Sequence, residues 1–350
     1  MNAALYEPVE GDMVRCTACR RYCKLRPGQT GFCGVRKNID GALDLLVHSI
    51  PMAVNIDPIE KKPVLHAYPG SRILSFGTSG CNFACKFCQN YEMSQRREVV
   101  GRKTSPEEIV DLAVRTGCQG IAYTYNEPTI FIEFAEEVGK LAHKEGLFNI
   151  FVTNGYETPE AVESLKRFLD FATVDFKGNA SEEFYRKYIS IRDPDSIFDT
   201  LSILKNTDIH VEITDLVVPE IGDDLHEAGF MISKILDIFG PEMPLSFLRF
   251  HPDYLLRDLP PTPVKTLKEH YKLAKGMGLK YVYIGNVPGL KEQNTYCPEC
   301  GALLVKRNNM ETVRMNLRAN SRCPECDMEI PLILRNREEE GKMGRNIIYR

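Results

Sequence analysis

Twelve cysteines stand out in a chain of 350 residues, because eleven of them fall into three short groups. The first is Cys16, Cys19, Cys23 and Cys33; the second is Cys81, Cys85 and Cys88; the third is Cys297, Cys300, Cys323 and Cys326. Thiolates gathered in this way are metal ligands or disulfide partners. Disulfides belong to exported chains. The N-terminal stretch MNAALYEPVEGD has neither a basic region nor an apolar core of the secretory kind. A cytoplasmic chain with metal-bound thiols is therefore expected. Cys118, the one left over, reads as a buried apolar residue.

The spacings point to different chemistry. GCNFACKFCQN (80–90) has the form C-x3-C-x2-C, three thiols from one loop. A four-iron cubane takes four ligands, so this loop would hold one and leave an iron open. A zinc reading needs a fourth ligand, which His48 or His66 would have to supply, and nothing in the sequence points to either. The C-terminal group is C-P-E-C, 22 residues, C-P-E-C, the pattern of a four-Cys zinc ribbon. Its intervening loop, 301–322, carries Lys306, Arg307, Arg314, Arg318 and Arg322 against Glu311, and reads as a solvated hairpin. The N-terminal group, C-x2-C-x3-C-x9-C, supplies four ligands among basic residues. Its spacing leaves zinc and an auxiliary iron–sulfur cluster both open.

These groups need a scaffold. Apolar residues make up 43% and charged residues 26%, which describes an ordinary globular chain and excludes wholesale disorder. The net charge of −4, from 44 basic and 48 acidic residues, argues against a polyanion binder, so nucleic acid is not expected as a partner. No apolar run reaches a membrane span, and no membrane partner is expected. Residues 1–70 read as irregular. From residue 73, strand-like runs alternate with helical patterns. Strands are expected at 73–78, 120–125, 148–153, 171–176, 210–218, 245–250 and 280–285. Helices are expected at 106–117, 129–145, 159–168, onward to about 190, at 196–206, 225–239 and 263–276. Repeated βα units imply a parallel sheet, here an α/β partial (β/α)6-type TIM barrel with an N-terminal Cys-rich segment and a C-terminal zinc ribbon. Expected boundaries are 1–70, 71–290, 291–335 and a tail at 336–350. Polar residues follow several strands: Asn126-Glu127, Thr153-Asn154, Asp175 to Lys177, and Arg249 to His251. The middle Cys group ends a strand on the same rim, where parallel barrels do chemistry.

C-x3-C-x-aromatic-C at the end of a first barrel strand resembles the radical S-adenosylmethionine (SAM) superfamily. The resemblance implies a [4Fe–4S] cluster on Cys81, Cys85 and Cys88 whose open iron is chelated by SAM. Phe87 matches the aromatic position beside the adenine. Glu127 of Asn126-Glu127-Pro128 matches the residue that binds the SAM amino group, with Tyr125 and Asn126 in place of glycines. VTNGY (152–156) looks like the Asp-Thr-Asn-Gly stretch of pyruvate formate-lyase activating enzymes. Thr153 and Asn154 match, and Val152 stands where that group has Asp. Asp175 and Lys177 match contacts to the ribose and carboxylate of SAM, residues 216–224 resemble the strand that lines the adenine, and His251 matches a histidine after a later strand. A Lys suits the carboxylate of SAM and a Glu its ammonium.

Residues 57–95, 122–131, 249–254 and 294–304 further resemble the AmmeMemoRadiSam family, over nearly the whole chain. That resemblance implies Memo-type and AmmeMemo-type proteins as partners or neighbours, and a reductant protein of flavodoxin or ferredoxin type. The expected activity is reductive cleavage of SAM to a 5′-deoxyadenosyl radical that takes hydrogen from a substrate. Two alternatives are an activase that installs a glycyl radical on a partner enzyme, and a non-catalytic zinc protein that binds partners through its ribbons.

Overall fold

The computed structural model describes residues 3–334; the expected tail at 336–350 lies outside the described residues. Its centre is an eight-stranded sheet in strict chain order. The strands are β1 (Ala53–Pro58), β2 (Arg72–Gly77), β3 (Gly120–Tyr123), β4 (Phe148–Thr153), β5 (Phe171–Lys177), β6 (His210–Val217), β7 (Leu245–Arg249) and β8 (Val282–Gly285). From β2 to β8 every pairing is parallel, and β1 runs antiparallel to β2. The crossovers carry α1 (Pro106–Arg115), α2 (Ile132–Lys144), α3 (Pro159–Leu165), α4 (Ser196–Leu204), α5 (Leu225–Phe239) and α6 (Val264–Gly276). Six βα units and a final strand make the partial barrel.

Local chemistry sets these elements. The central strands are buried on both faces, as sheets covered by helices require. Helix α1 starts at a capping box: the Ser105 hydroxyl accepts from the Glu108 amide, and the Glu108 carboxylate accepts from the Ser105 amide at 2.7 Å. Thr158 and Asp224 cap α3 and α5 through their side-chain oxygens, which accept from first-turn amides. Aromatic rings of Phe76, Tyr123, Phe134, Phe151 and Phe168 then fill the space between sheet and helices, edge to face or tilted.

Within the stretch expected to be irregular, residues 3–70 are ordered into strands. They form a three-stranded sheet (Tyr6–Pro8, Val14–Cys16, Lys24–Leu25), a hairpin (Arg36–Ile39 with Ala42–Leu45) and strand β1. Period-2 alternation is missing from β1 because it is an edge strand with mostly exposed or half-buried residues, so the sequence carries no inside–outside pattern. The expected helix onward to about 190 is a short turn at Glu182–Phe184 that runs into a π-helical turn at Tyr185–Ile189 and ends at Ser190, φ +67°.

Both appendages share core with the barrel. Arg36, 1% exposed, pairs with Glu133 of α2 and donates to the Ile130 carbonyl at 2.9 Å; Glu133 also accepts from the Ala4 amide. The C-terminal hairpin (Leu303–Asn308, Glu311–Met315) docks through a directed chain of hydrogen bonds. Arg307 donates to Thr295, and Thr295 meets the Tyr283 hydroxyl at 3.0 Å. Tyr283 lies 2.6 Å from His66 Nε2, and His66 Nδ1 lies 2.9 Å from the Pro331 carbonyl. A carbonyl only accepts, so the His66 proton sits on Nδ1, and Nε2 accepts from Tyr283. His66 is thereby committed to the docking. His48 pairs with Glu137 at 3.0 Å, so neither histidine completes the middle Cys group.

Burial pushes His66 down to about 4. The unfolded chain then binds a proton that the folded chain refuses, and stability falls as pH drops from 6.5 toward about 4. Thermal melts across that window test it. The native chain is expected to lose up to about 3 kcal/mol more than His66→Gln over the window. Parallel curves for the two would contradict the assignment.

Candidate active site

The loop after β2 carries the middle thiols, and its path is fixed by close approach. A Cβ at Gly77 would lie 2.3 Å from the Thr124 carbonyl, so the strand end presses against the end of β3. Asn126 clamps the loop by donating to the Gly80 carbonyl at 2.8 Å and accepting from the Thr78 amide at 3.3 Å. The Ala84 and Lys86 amides donate to the carbonyls of Ile189 and Tyr188, which gives the π-helical turn its use. Phe83 anchors the loop from below against Tyr156 and Tyr185.

Cys81 and Cys85 are buried and Cys88 is half-buried. Burial pushes all three thiols up, Cys85 to about 12. Left to themselves they are protonated, and a bound metal is what makes such thiols thiolates. The donor set of three thiols fits a cluster that keeps one iron open. Lys177, at the end of β5, acts on all three. Burial alone would lower its ammonium; Asp175 and the three thiols outweigh this and raise it. Its Nζ lies 3.8 Å from Asp175, whose other oxygen accepts from Thr214.

A second knot joins the ends of β3 and β4. Glu127, 1% exposed, accepts from the Thr129 amide at 3.0 Å, the Thr153 hydroxyl at 2.9 Å and the Asn154 amide at 2.8 Å. Thr153 also contacts Glu157, itself 1% exposed. Glu157 also accepts from the Thr129 hydroxyl at 2.9 Å, yet two carboxylates this close and this buried still need a shared proton or an incoming cation. Burial first, and then Glu157 beside it, push Glu127 up to about 8. Asn154 donates to the Asn82 side chain at 2.7 Å, which ties this knot to the Cys loop. At the end of β6, Asp215 is fully buried; burial raises it to about 7, and one of its oxygens has no partner.

The structure thus gathers Cys81, Cys85, Cys88, Asp175 and Lys177 on one side, and Glu127, Thr153 and Asn154 on the other, joined through Asn82. Phe87 is buried between Phe184 and Phe250. His251 stands apart, its side chain 66% exposed beside Asp253. It lines a cavity of about 420 Å³ that also touches Gln89, next to Cys88. The inner wall of that cavity includes Glu60, Arg307 and Met310, the last two from the C-terminal hairpin. Glu157, Asn82 and Asp215 are missed by the sequence reading; a Glu before a helix cap and an Asp inside a strand look like ordinary loop and edge residues until the fold buries them.

The C-terminal cysteines meet closely. Cys297 lies 3.6 Å from Cys326 and Cys300 lies 3.6 Å from Cys323, with all four sulfurs within 4.8 Å of one another. That is a closed four-thiol site able to hold a metal. Among the described residues no helix is long and apolar enough to cross a membrane.

Comparison with known proteins agrees with this geometry. Residues 76–232 match the family described as the radical SAM superfamily. The chain is 43% identical over 336 residues, 95% of its length, to the uncharacterized protein MJ0808 of Methanocaldococcus jannaschii, and covers 99% of that protein. A shorter stretch of 150 residues, 42% of this chain, is 26% identical to 56% of "Putative glycyl-radical enzyme activating enzyme MJ1632" of the same organism. Among solved structures, Streptococcus suis SuiB bound to S-adenosylmethionine superposes with a TM-score of 0.50 at 10% identity, over 69% of this chain and 56% of that one. At that identity the likeness is of fold.

The carboxylate pair sets a pH signature. Between 4.5 and about 8 the folded chain keeps a proton that the unfolded chain releases, so stability without SAM falls as pH rises through that range. Glu157→Gln removes the like charge and leaves burial. The melting temperature of the variant is expected to fall less over the same range. An equal or steeper fall would contradict the pairing.

Proposed function

We propose that this chain, whose residues 76–232 match the radical SAM superfamily, is an enzyme that holds a [4Fe–4S] cluster on Cys81, Cys85 and Cys88 and binds SAM at the open iron. When bound, the cluster supplies one electron that cleaves SAM to methionine and a 5′-deoxyadenosyl radical, which takes a hydrogen atom from substrate. The observation that carries this reading is the joining of two buried thiols and a half-buried one, a half-buried lysine and a buried carboxylate pair at one end of the sheet.

The roles follow from charge. Lys177 meets the SAM carboxylate. Glu127 takes the SAM ammonium, with Thr153 and Asn154 orienting its two oxygens. A cation there removes the need for the proton that the Glu127–Glu157 pair shares. Asp175 offers an acceptor to ribose hydroxyls, Phe87 an apolar wall to adenine, and His251 a polar rim to the cavity of about 420 Å³. That cavity is the substrate space of this reading: it opens beside Gln89 and excludes water with Leu248, Phe250 and Val287. The electron comes from a reductant protein of flavodoxin or ferredoxin type. Within the superfamily the AmmeMemoRadiSam resemblance makes Memo-type and AmmeMemo-type proteins the partners of choice.

A second reading, an activase that installs a glycyl radical on another protein, draws on the partial likeness to the activating-enzyme relative. It requires a glycyl-radical enzyme in the same organism. At the C-terminus we assign zinc to Cys297, Cys300, Cys323 and Cys326, as a structural site.

Anaerobically reconstituted protein with dithionite is expected to release 5′-deoxyadenosine from SAM, and Cys85→Ala to release none. Lys177→Met removes one charge-assisted contact and is expected to weaken SAM binding about tenfold or more. Cys300→Ser is expected to lose zinc and lower the melting temperature while keeping the iron. Zinc instead of iron at Cys81, Cys85 and Cys88 would overturn the enzyme reading in favour of a non-catalytic zinc-binding interaction protein.

A further inference from the structure

The N-terminal thiols stand around one small cavity, which Cys16, Cys19, Cys23 and Cys33 line together with Arg21, Arg36 and Asn82. Their setting is that of an anionic metal centre. Arg36 is fully buried, and its Nη1 has no partner. An orphaned buried guanidinium nitrogen is costly, and an anion in the cavity satisfies it. The cysteines form no disulfide.

Spacing separates the two metals that the Cys pattern leaves open. Tetrahedral zinc with bonds of about 2.3 Å needs its sulfurs about 3.8 Å apart. The C-terminal thiols are packed that way, with two pairs at 3.6 Å. No three of the N-terminal sulfurs are: among the described residues, the C-terminal group is the one place where three or more such ligand atoms gather within 4.8 Å. Sulfurs set farther apart than one tetrahedral ion allows suit the corners of a larger body, and a cubane with one iron per thiol is such a body.

The cavity also adjoins the Cys81 loop. A Cβ at Gly80 would lie 2.2 Å from the Cys33 carbonyl. Arg21 donates to the Asn82 carbonyl and feels Cys19, Cys23 and Cys81 together. Asn82, which follows Cys81, forms part of the cavity wall and accepts from Asn154 of the active-site knot.

We propose that Cys16, Cys19, Cys23 and Cys33 hold a second, fully ligated [4Fe–4S] cluster, one residue removed from the active-site loop and able to exchange an electron with the cluster there. In that exchange the second cluster is oxidised by one electron as the active-site cluster is reduced by one, and a low-potential one-electron reductant protein restores it. The assignment of metal rests on the N-terminal residues alone; the exchange rests on the radical SAM reading.

The test is metal analysis and electron paramagnetic resonance on the full chain, reconstituted anaerobically with iron and sulfide. The native chain is expected to carry about eight irons and one zinc. Cys81→Ala/Cys85→Ala/Cys88→Ala is expected to keep about four irons, all at the N-terminal site, which reads that site independently of the active-site assignment. Cys16→Ser/Cys33→Ser is expected to lose those four, with its zinc retained as a check that the chain still folds. After dithionite reduction, the native spectrum is expected to show two signals broadened by each other, and each variant one narrow signal. Two zincs with four irons, six irons, or four irons with nothing at the N-terminus would each overturn the proposal. Eight irons with two unbroadened signals would overturn the electronic contact. Four irons in the native chain that vanish in the Cys16/Cys33 variant would leave the N-terminal cluster standing and sink the active-site reading instead.

Discussion

Buried charge at the carboxyl-terminal end of the sheet is the constraint on which the rest of the structure depends. Three thiols, two glutamates, an aspartate and a lysine are wholly or partly withdrawn from water there. Each is costly to ionise unless another charge answers it. Lys177 answers the thiols in part. Glu127 and Glu157 answer each other badly, with the Thr153 hydroxyl between them and the Thr129 hydroxyl on Glu157. Asp215 keeps one oxygen unpaired. A metal cluster and a zwitterionic, cationic cofactor are the kinds of occupant that turn this unfavourable set into a favourable one.

Holding such a set requires a stiff frame. Parallel strands buried on both faces supply it, and their ordered succession from β2 to β8 brings the ends of five strands to one rim. The appendages reinforce the same end. Arg36 and Glu133 pin the N-terminal cysteines against α2, and Gly80 lets Cys33 touch the active-site loop. On the other side the chain from Arg307 to His66 pins the C-terminal hairpin, so that Arg307 and Met310 wall the cavity beside Gln89. Neither cysteine-rich piece is a pendant module; each shares its core with the barrel.

Much of the frame is legible in the sequence, because its signals are local. The run FNIFVT is strand β4 residue for residue, and Asp224 opens helix α5 at the expected place. Strand β1 is illegible: an exposed edge strand pairs through its backbone and leaves no side-chain pattern. At the site, Glu127, Thr153 and Asn154 are marked by their places after strands, and the structure brings them into one network. Glu157 and Asn82 are not marked. Their importance comes from what folds over them, namely the Thr153 hydroxyl, the Asn154 amide and the N-terminal segment, and none of these is near in sequence except through the turn at 153–157. The spacing of the N-terminal thiols leaves their metal open; the distance between sulfurs is a tertiary quantity.

The proposed activity depends on one contact, that of SAM with an iron left open by Cys81, Cys85 and Cys88. Electron–nuclear double resonance on the dithionite-reduced protein, with SAM labelled at its amino nitrogen and carboxylate carbon, reads that contact directly. Hyperfine coupling from both labels to a reduced [4Fe–4S] signal is expected, present in the Cys16→Ser/Cys33→Ser protein and absent when Cys85 is replaced by Ala. A reduced cluster on those three cysteines whose signal is blind to both labels would contradict it.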